Sequence, residues 1–117
     1  MQEQVTIKLS SQVVWDATTF YRELLQSSDR VKDLLVSYHF RTRGRVSELS
    51  FTESSIEFFN PLMGKFVVIY SVGQFNACAD VDYSERETME ILFDIDLEKS
   101  EALLTGEYIP EREPDEL

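Results

Sequence analysis

The stretch MEILFDIDL, residues 89–97, alternates apolar and acidic side chains with a period of two. One set of alternate positions is wholly apolar: Met89, Ile91, Phe93, Ile95 and Leu97. The other set holds three acids and one apolar exception: Glu90, Leu92, Asp94 and Asp96. Because successive side chains of a β-strand point to opposite faces, the pattern predicts a strand with one buried and one exposed face. Such strands are typical of an antiparallel sheet that is covered on one side only.

Similar period-two patterns, separated by turn-forming residues, occur on both sides of this stretch. They predict strands at 5–9, 36–42, 46–52, 55–59, 65–78 and 102–109, in addition to 88–97. The segments 43–45, 52–54 and 60–64 carry the glycine, proline, asparagine and serine residues that tight turns prefer. Most of the predicted strands are therefore joined as consecutive hairpins.

A helical pattern precedes these strands. Asp16 is a suitable N-cap residue, and Phe20, Leu24, Val31 and Leu35 follow it near helical spacing. The polar run 27–29 interrupts the pattern. Either one helix spans about 16–36, or the helix breaks there and Ser28 caps a second one.

The order of these elements predicts an α+β fold, in which a curved antiparallel β-sheet packs against one principal N-terminal helix. The sheet should have about five to seven strands, arranged mostly as a meander. Residues 1–109 are expected to form a single domain. Residues 110–117 form an acidic tail with two prolines and little to bury, which we expect to be flexible.

The net charge of −11 is distributed unevenly along the 117 residues. Residues 1–75 carry equal numbers of acidic and basic side chains, whereas residues 76–117 carry fourteen acidic and three basic ones. This acidic C-terminal third argues against direct binding of nucleic acid or anionic lipid through that half, because phosphate groups are neutralised by lysine and arginine. No apolar run approaches the length of a membrane helix. With a single cysteine and no secretory signal, the chain is expected to be cytoplasmic.

The residues needed for common kinds of catalysis are sparse. The chain has one histidine, one cysteine and four scattered glycines, so it offers no recognisable nucleophile–base pair, zinc site or phosphate-binding loop. We therefore expect a non-enzymatic protein. The leading hypothesis is a small binding protein, inhibitory or regulatory, that acts on a basic surface of a protein partner. The predicted contact residues are Glu90, Asp94, Asp96 and Glu98, because carboxylates at strand spacing can imitate a phosphate backbone.

Two alternative functions remain open at this point. The first is calcium binding by the segment 80–87, which is predicted to be a loop between two strands. Its carboxylates would supply the oxygen ligands that Ca²⁺ prefers: Asp80, Asp82, Glu85 and Glu87. The second alternative is a carrier that holds a small apolar ligand between helix and sheet.

The segment 41–45 is the one basic cluster of the sequence. If it is extended, Arg41, Arg43 and Arg45 point the same way as His39, which would make a small anion-binding site. The same arginines could instead act as counterions for the acidic strands, or lie at a solvated hairpin tip.

Overall fold

The computed structural model of the chain describes residues 2–10, 15–40, 44–76 and 81–109. Within residues 74–76 and 81–84 it describes the backbone only. The strands, in chain order, are β1 (Gln4–Lys8), β2 (Arg45–Phe51), β3 (Glu57–Asn60), β4 (Met63–Asn76), β5 (Val81–Asp96) and β6 (Glu101–Thr105). Two helices, α1 (Ala17–Gln26) and α2 (Ser28–His39), lie between β1 and β2, and a single 3₁₀ turn spans Glu53–Ser55.

The strands form one antiparallel sheet in the order β1-β6-β5-β4-β2. The short strand β3 also pairs with β4, next to β2 along the same edge. Strands β3 to β6 follow one another as hairpins, and β1 adds to the far side of β6. The predicted α+β class is confirmed, since a helical N-terminal segment packs against a curled antiparallel sheet.

Strand β5 has the alternation that its sequence predicts. Met89, Ile91, Phe93 and Ile95 are buried, whereas the residues between them are exposed. The prediction is wrong at Leu97, which is 53% exposed, because β5 ends at Asp96 and the chain turns there.

Helix α1 begins where the sequence indicates. The Asp16 carboxylate accepts a hydrogen bond from the Thr19 backbone N–H at 2.9 Å, and the Thr19 hydroxyl accepts one from the Asp16 N–H at 3.0 Å. This reciprocal capping satisfies two donors that the first turn leaves open, and the Thr19 N–H holds the pKa of Asp16 below its usual value. The chain then breaks at Ser27, so the segment contains two helices, and Ser28 is the first residue of α2 rather than its cap.

The core lies between the helices and one face of the sheet, and Phe20 is at its centre. The Phe20 ring, fully buried on α1, stacks on Phe93 of β5 with ring centroids 4.1 Å apart. Trp15 and Phe58 each form a T-shaped pair with Phe20, with ring centroids 6.2 and 6.3 Å apart. Gly64 of β4 makes room for this cluster, because a Cβ there would lie 2.7 Å from the Phe93 ring.

Two predicted elements are wrong. The first of these is the predicted strand at 36–42: residues 36–39 belong to α2, which continues to His39, and residues 41 and 42 lie outside the described residues. The helical spacing of Val31, Leu35 and Tyr38 continues through this region, and all three pack into or against the core. The Tyr38 hydroxyl also accepts a hydrogen bond from the Glu3 N–H at 2.9 Å and donates one to the Glu107 carbonyl at 2.7 Å.

The second wrong element is the predicted loop at 80–87. Strand β5 begins at Val81, and its first seven residues pair with residues 70–76 of β4. A continuous ladder satisfies the backbone N–H and C=O groups of both strands, which explains why it extends past the apolar alternation.

None of the helices in the described part of the chain has the length and apolar composition that a membrane-spanning helix requires.

We expect Phe20→Ala to lower the free energy of unfolding by about 3–5 kcal/mol, because it removes a buried ring and leaves a cavity between α1 and the sheet. Phe59 is a matched control, since its side chain is 55% exposed. Phe59→Ala should change stability by no more than about 0.5 kcal/mol. Urea unfolding of both variants measures the difference, and equal losses would contradict the placement of Phe20 at the centre of the core.

Candidate functional site

The sheet has a face that turns away from the helices, which we call the outer face. Thr6, Leu103, Asp94 and Met63 lie side by side across four strands of this face, from β1 through β6 and β5 to β4. Lys8, Glu101 and Asp96 form the neighbouring row. The outer face therefore mixes aliphatic and charged side chains, and it is exposed to solvent.

An open groove of about 500 Å³ lies on the outer face, at the end where β5 turns into β6. We call it the β5–β6 groove. Its lining consists of Thr6, Leu62, Asp94, Ile95, Asp96, Leu97, Glu98, Lys99, Glu101 and Leu103. Four carboxylates and one ammonium group thus share the groove with four aliphatic side chains and a threonine.

Three of the four predicted partner-binding residues meet in this groove: Asp94, Asp96 and Glu98. Glu90 does not join them. It lies four residues before Asp94 on the same strand, about 13 Å away. Its carboxylate is 3.3 Å from the Lys65 ammonium, so its charge is already partly balanced.

The carboxylates of the groove differ in the salt bridges and hydrogen bonds that they form. Glu101 pairs with Lys8 of the neighbouring strand. Asp96 accepts hydrogen bonds from the backbone N–H groups of Glu98 and Lys99, at 3.0 and 3.2 Å, and so shapes the turn. Among the described residues, Asp94 and Glu98 form no salt bridge and no side-chain hydrogen bond. These two carboxylates are the ones available to a ligand.

The turn that carries Glu98 is held in an uncommon backbone conformation. Ser100 has φ = 52°, in the left-handed region that side chains other than glycine rarely adopt. Its carbonyl accepts a hydrogen bond from the Leu9 N–H at 2.9 Å, which ties the turn to the end of β1. The groove wall is therefore fixed by contacts from three strands.

Aliphatic side chains complete the groove. Leu97 and Leu103 are 53% and 38% exposed, and Leu103 stands directly opposite Asp94 in the β5–β6 ladder. An arrangement of this kind can take a cationic head group beside a carboxylate while the aliphatic stem lies along the leucines.

The predicted calcium ligands were expected in a loop, but those within the described residues lie on strand β5. Asp80 lies outside the described residues, and Asp82 belongs to β5, where its backbone is opposite Phe75. Glu85 and Glu87 are alternate residues of β5, so their Cα atoms are about 7 Å apart on one face. In the part of the chain that the structure describes, no three His, Cys, Asp or Glu side chains are grouped closely enough to hold a metal ion.

The structure describes only part of the predicted anion-binding segment. Arg41 and Arg43 lie outside the described residues, Arg45 is the exposed first residue of β2, and His39 ends helix α2. His39 and Arg45 therefore do not belong to one extended stretch, and the anion-binding role of the three arginines stays a prediction.

His39 is paired with a buried tyrosine. Its Nε2 lies 2.9 Å from the Tyr70 hydroxyl, and the two groups share a hydrogen bond. Burial, assisted by the negative charges of Glu87 and Glu107, raises the pKa of Tyr70 to about 12. The phenol therefore stays protonated at neutral pH and can donate to the imidazole.

The space between helix and sheet, where an apolar ligand would lie, contains the stacked rings of Phe20 and Phe93. A concavity of about 130 Å³ opens at the end of this layer, and Leu9, Trp15 and Leu97 are among the residues that line it. Small-molecule sites are usually several hundred Å³ in volume.

Several residues of the groove could not be found from the local sequence pattern. Thr6, Leu62, Glu101 and Leu103 come from three other parts of the chain, and only the pairing register brings them to Asp94. The short connection between the predicted strands at 88–97 and 102–109 is the local sign that β6 returns beside β5.

In comparison with known proteins, the chain matches no family model, no curated protein and no solved structure.

We expect Ser100→Gly to stabilise the fold by up to about 1 kcal/mol, because glycine adopts the left-handed region without the steric cost that serine has there. Ser50→Gly is the control, since Ser50 lies in β2 and has no positive φ. That change should cost about 0.5–1 kcal/mol. Thermal unfolding compares the two variants, and a loss of stability in both would contradict the turn conformation.

Calcium should have no specific effect on stability, because Glu85 and Glu87 are spread along a strand instead of converging in a loop. We expect millimolar calcium and millimolar magnesium to raise the melting temperature by equal small amounts through screening of the net charge. Thermal melts with each ion and with excess chelator test this. A rise that is larger with calcium and disappears in Asp80→Asn/Asp82→Asn would instead establish a calcium site.

Proposed function

We propose that this chain is a non-enzymatic binding protein, inhibitory or regulatory, that engages a basic surface of a protein partner through the β5–β6 groove. The observation that carries the proposal is the state of Asp94 and Glu98, two groove carboxylates without a salt bridge among the described residues. A lysine or arginine of a partner would supply the missing counterion. No reaction is assigned to the groove.

The aliphatic side chains of the groove support the same kind of ligand. The stem of a lysine or arginine side chain is apolar and its head group is charged. With the head group at Asp94, the stem can lie along Leu103 and Leu97, which are exposed. This contact would bury apolar surface in addition to pairing charges, so the groove would favour a basic protein segment over a simple cation.

The charge of the whole chain adds a long-range component. A net charge of −11 attracts basic partners before contact, and this attraction weakens as salt shortens the Debye length from about 10 Å at 0.1 M. Asp94 and Asp96 face outward two residues apart on one strand, about 7 Å from each other. Carboxylates at such intervals support the more specific form of the proposal, in which the chain occupies a nucleic-acid-binding site of its partner.

The test begins with capture of the partner from native cells on the immobilised chain, followed by measurement of association kinetics. We expect Asp94→Asn/Glu98→Gln to lower the association rate by about threefold or more, and to leave the melting temperature flat or slightly raised as repulsion is relieved. The difference in association rate between this variant and the parent chain should become smaller as the salt concentration rises.

The matched control removes the same number of charges elsewhere. Asp29 and Asp33 lie on α2, on the opposite side of the sheet, and Asp29→Asn/Asp33→Asn changes the net charge equally. If the groove is the contact site, this control variant should associate with the partner nearly as fast as the parent chain does. If both double variants slow association to the same extent, the net charge acts diffusely and the groove is not the contact site.

A further inference from the structure

The two outer edges of the sheet are protected against pairing with other strands. Strand β1 has only five residues, and the Arg30 guanidinium on α2 donates a hydrogen bond to its Thr6 carbonyl at 3.3 Å. Strand β2 has an irregularity between Ser47 and Ser50, where Glu48 has φ = 56°. Short strands, covering side chains and bulges are the usual means of preventing edge-to-edge association.

One edge inside the sheet has no such protection from the residues that the structure describes. Strand β6 pairs with β5 only from Leu92 to Asp96, so among the described residues no strand lies on the β6 side of the earlier part of β5. The Glu107 carboxylate accepts the Glu90 N–H at 2.8 Å, which ends the ladder there. Among the described residues, no strand pairs with this side of Val81–Glu87, which we call the open edge of β5.

The backbone groups that the open edge presents follow from strand geometry. The Ile95 N–H points to the β4 side, since it bonds to the Leu62 carbonyl, and the Glu90 N–H points to the β6 side. Because these directions alternate along a strand, the even-numbered residues 82, 84 and 86 direct their N–H and C=O groups to the open edge.

We propose that a second copy of this chain pairs with the open edge of β5, antiparallel and about a two-fold axis at Ser84. The two β4–β5 ribbons would then form one continuous sheet, with about six backbone hydrogen bonds across the new pairing. A symmetric dimer of this kind is the commonest closed assembly of identical chains.

Charge favours this register over those whose axis passes through a charged residue. A two-fold axis perpendicular to the sheet must pass through a pair of identical residues, and an axis at Ser84 places Arg86 of each copy opposite position 82, an aspartate in the sequence. An axis at Asp82, Glu85 or Arg86 would instead bring two like charges face to face, which destabilises cross-strand pairing. With the axis at Ser84, Glu85 and Glu87 face positions 83 and 81, which are tyrosine and valine.

The dimer is independent of the proposed function, since the open edge does not include the β5–β6 groove. The two copies repel each other through their net charge, so the pairing is expected to need salt near the physiological 0.15 M, where the Debye length is about 8 Å. Each substitution at the edge acts twice, once for each copy, which makes charge reversal a sensitive test.

Sedimentation velocity over a range of protein concentrations is the experiment. We expect the full chain to dimerise, and Arg86→Glu or Asp82→Lys to weaken dimerisation by about tenfold or more. The double variant Asp82→Lys/Arg86→Glu should restore it, because the opposite charges again face each other. Lys99→Glu, at the exposed β5–β6 turn, makes the same charge change as Arg86→Glu and should leave dimerisation nearly unchanged.

Circular dichroism establishes that each variant is folded, so that a lost dimer is not mistaken for unfolding. A chain that stays monomeric at every concentration would overturn the proposal. Pairing of the open edge of β5 with a strand of a different protein, and not with a second copy, would also overturn it. Equal effects of Arg86→Glu and Lys99→Glu, or a folded double variant that does not recover the dimer, would also overturn it.

Discussion

The stacking of Phe20 on Phe93 is the contact on which the placement of the other parts depends. It joins helix α1 to strand β5 at the centre of the core, with ring centroids 4.1 Å apart. Because side chains alternate along a strand, a buried Phe93 requires that Asp94 and Asp96 face outward. Repacking Phe93 to the other face would move every residue of the strand with it. The composition of the β5–β6 groove is therefore a consequence of the core.

Most of the fold could be predicted where the pattern is local. The alternation along β5 and the capping residue Asp16 each depend on neighbours a few positions away; the alternation is confirmed from Met89 to Ile95, and the cap is confirmed at Asp16. The strand prediction for 36–42 is wrong at residues 36–39 because the aromatic residues there suit a strand equally well. The Tyr38 hydroxyl ties the end of α2 to Glu3 and Glu107, which lie 35 and 69 positions away in the chain. No local pattern reports contacts of that range.

The residues of the candidate site can also be separated into those that the sequence predicts and those that it does not. The sequence alone assigns Asp94 and Asp96 to the solvent-exposed face of one strand, and it places Glu98 near them. The leucine beside Asp94 and the lysine that pairs with Glu101 belong to other strands, and their positions depend on pairing register. The misplaced loop at 80–87 has a related cause, because charged residues normally indicate a turn but here continue a ladder that β4 specifies.

The pairing of β1 with β6 has a consequence for how the chain folds. Val5 and Leu104 are partners in this ladder, although 99 positions separate them. The entropy lost on closing such a loop must be compensated before any contact between the two strands forms, whereas the β4–β5 ribbon assembles from neighbours in sequence. The ribbon is therefore suited to an early step of folding and the β1–β6 ladder to a late one. Until that ladder forms, the groove lacks one wall, so the proposed binding site would be complete only at the end of folding.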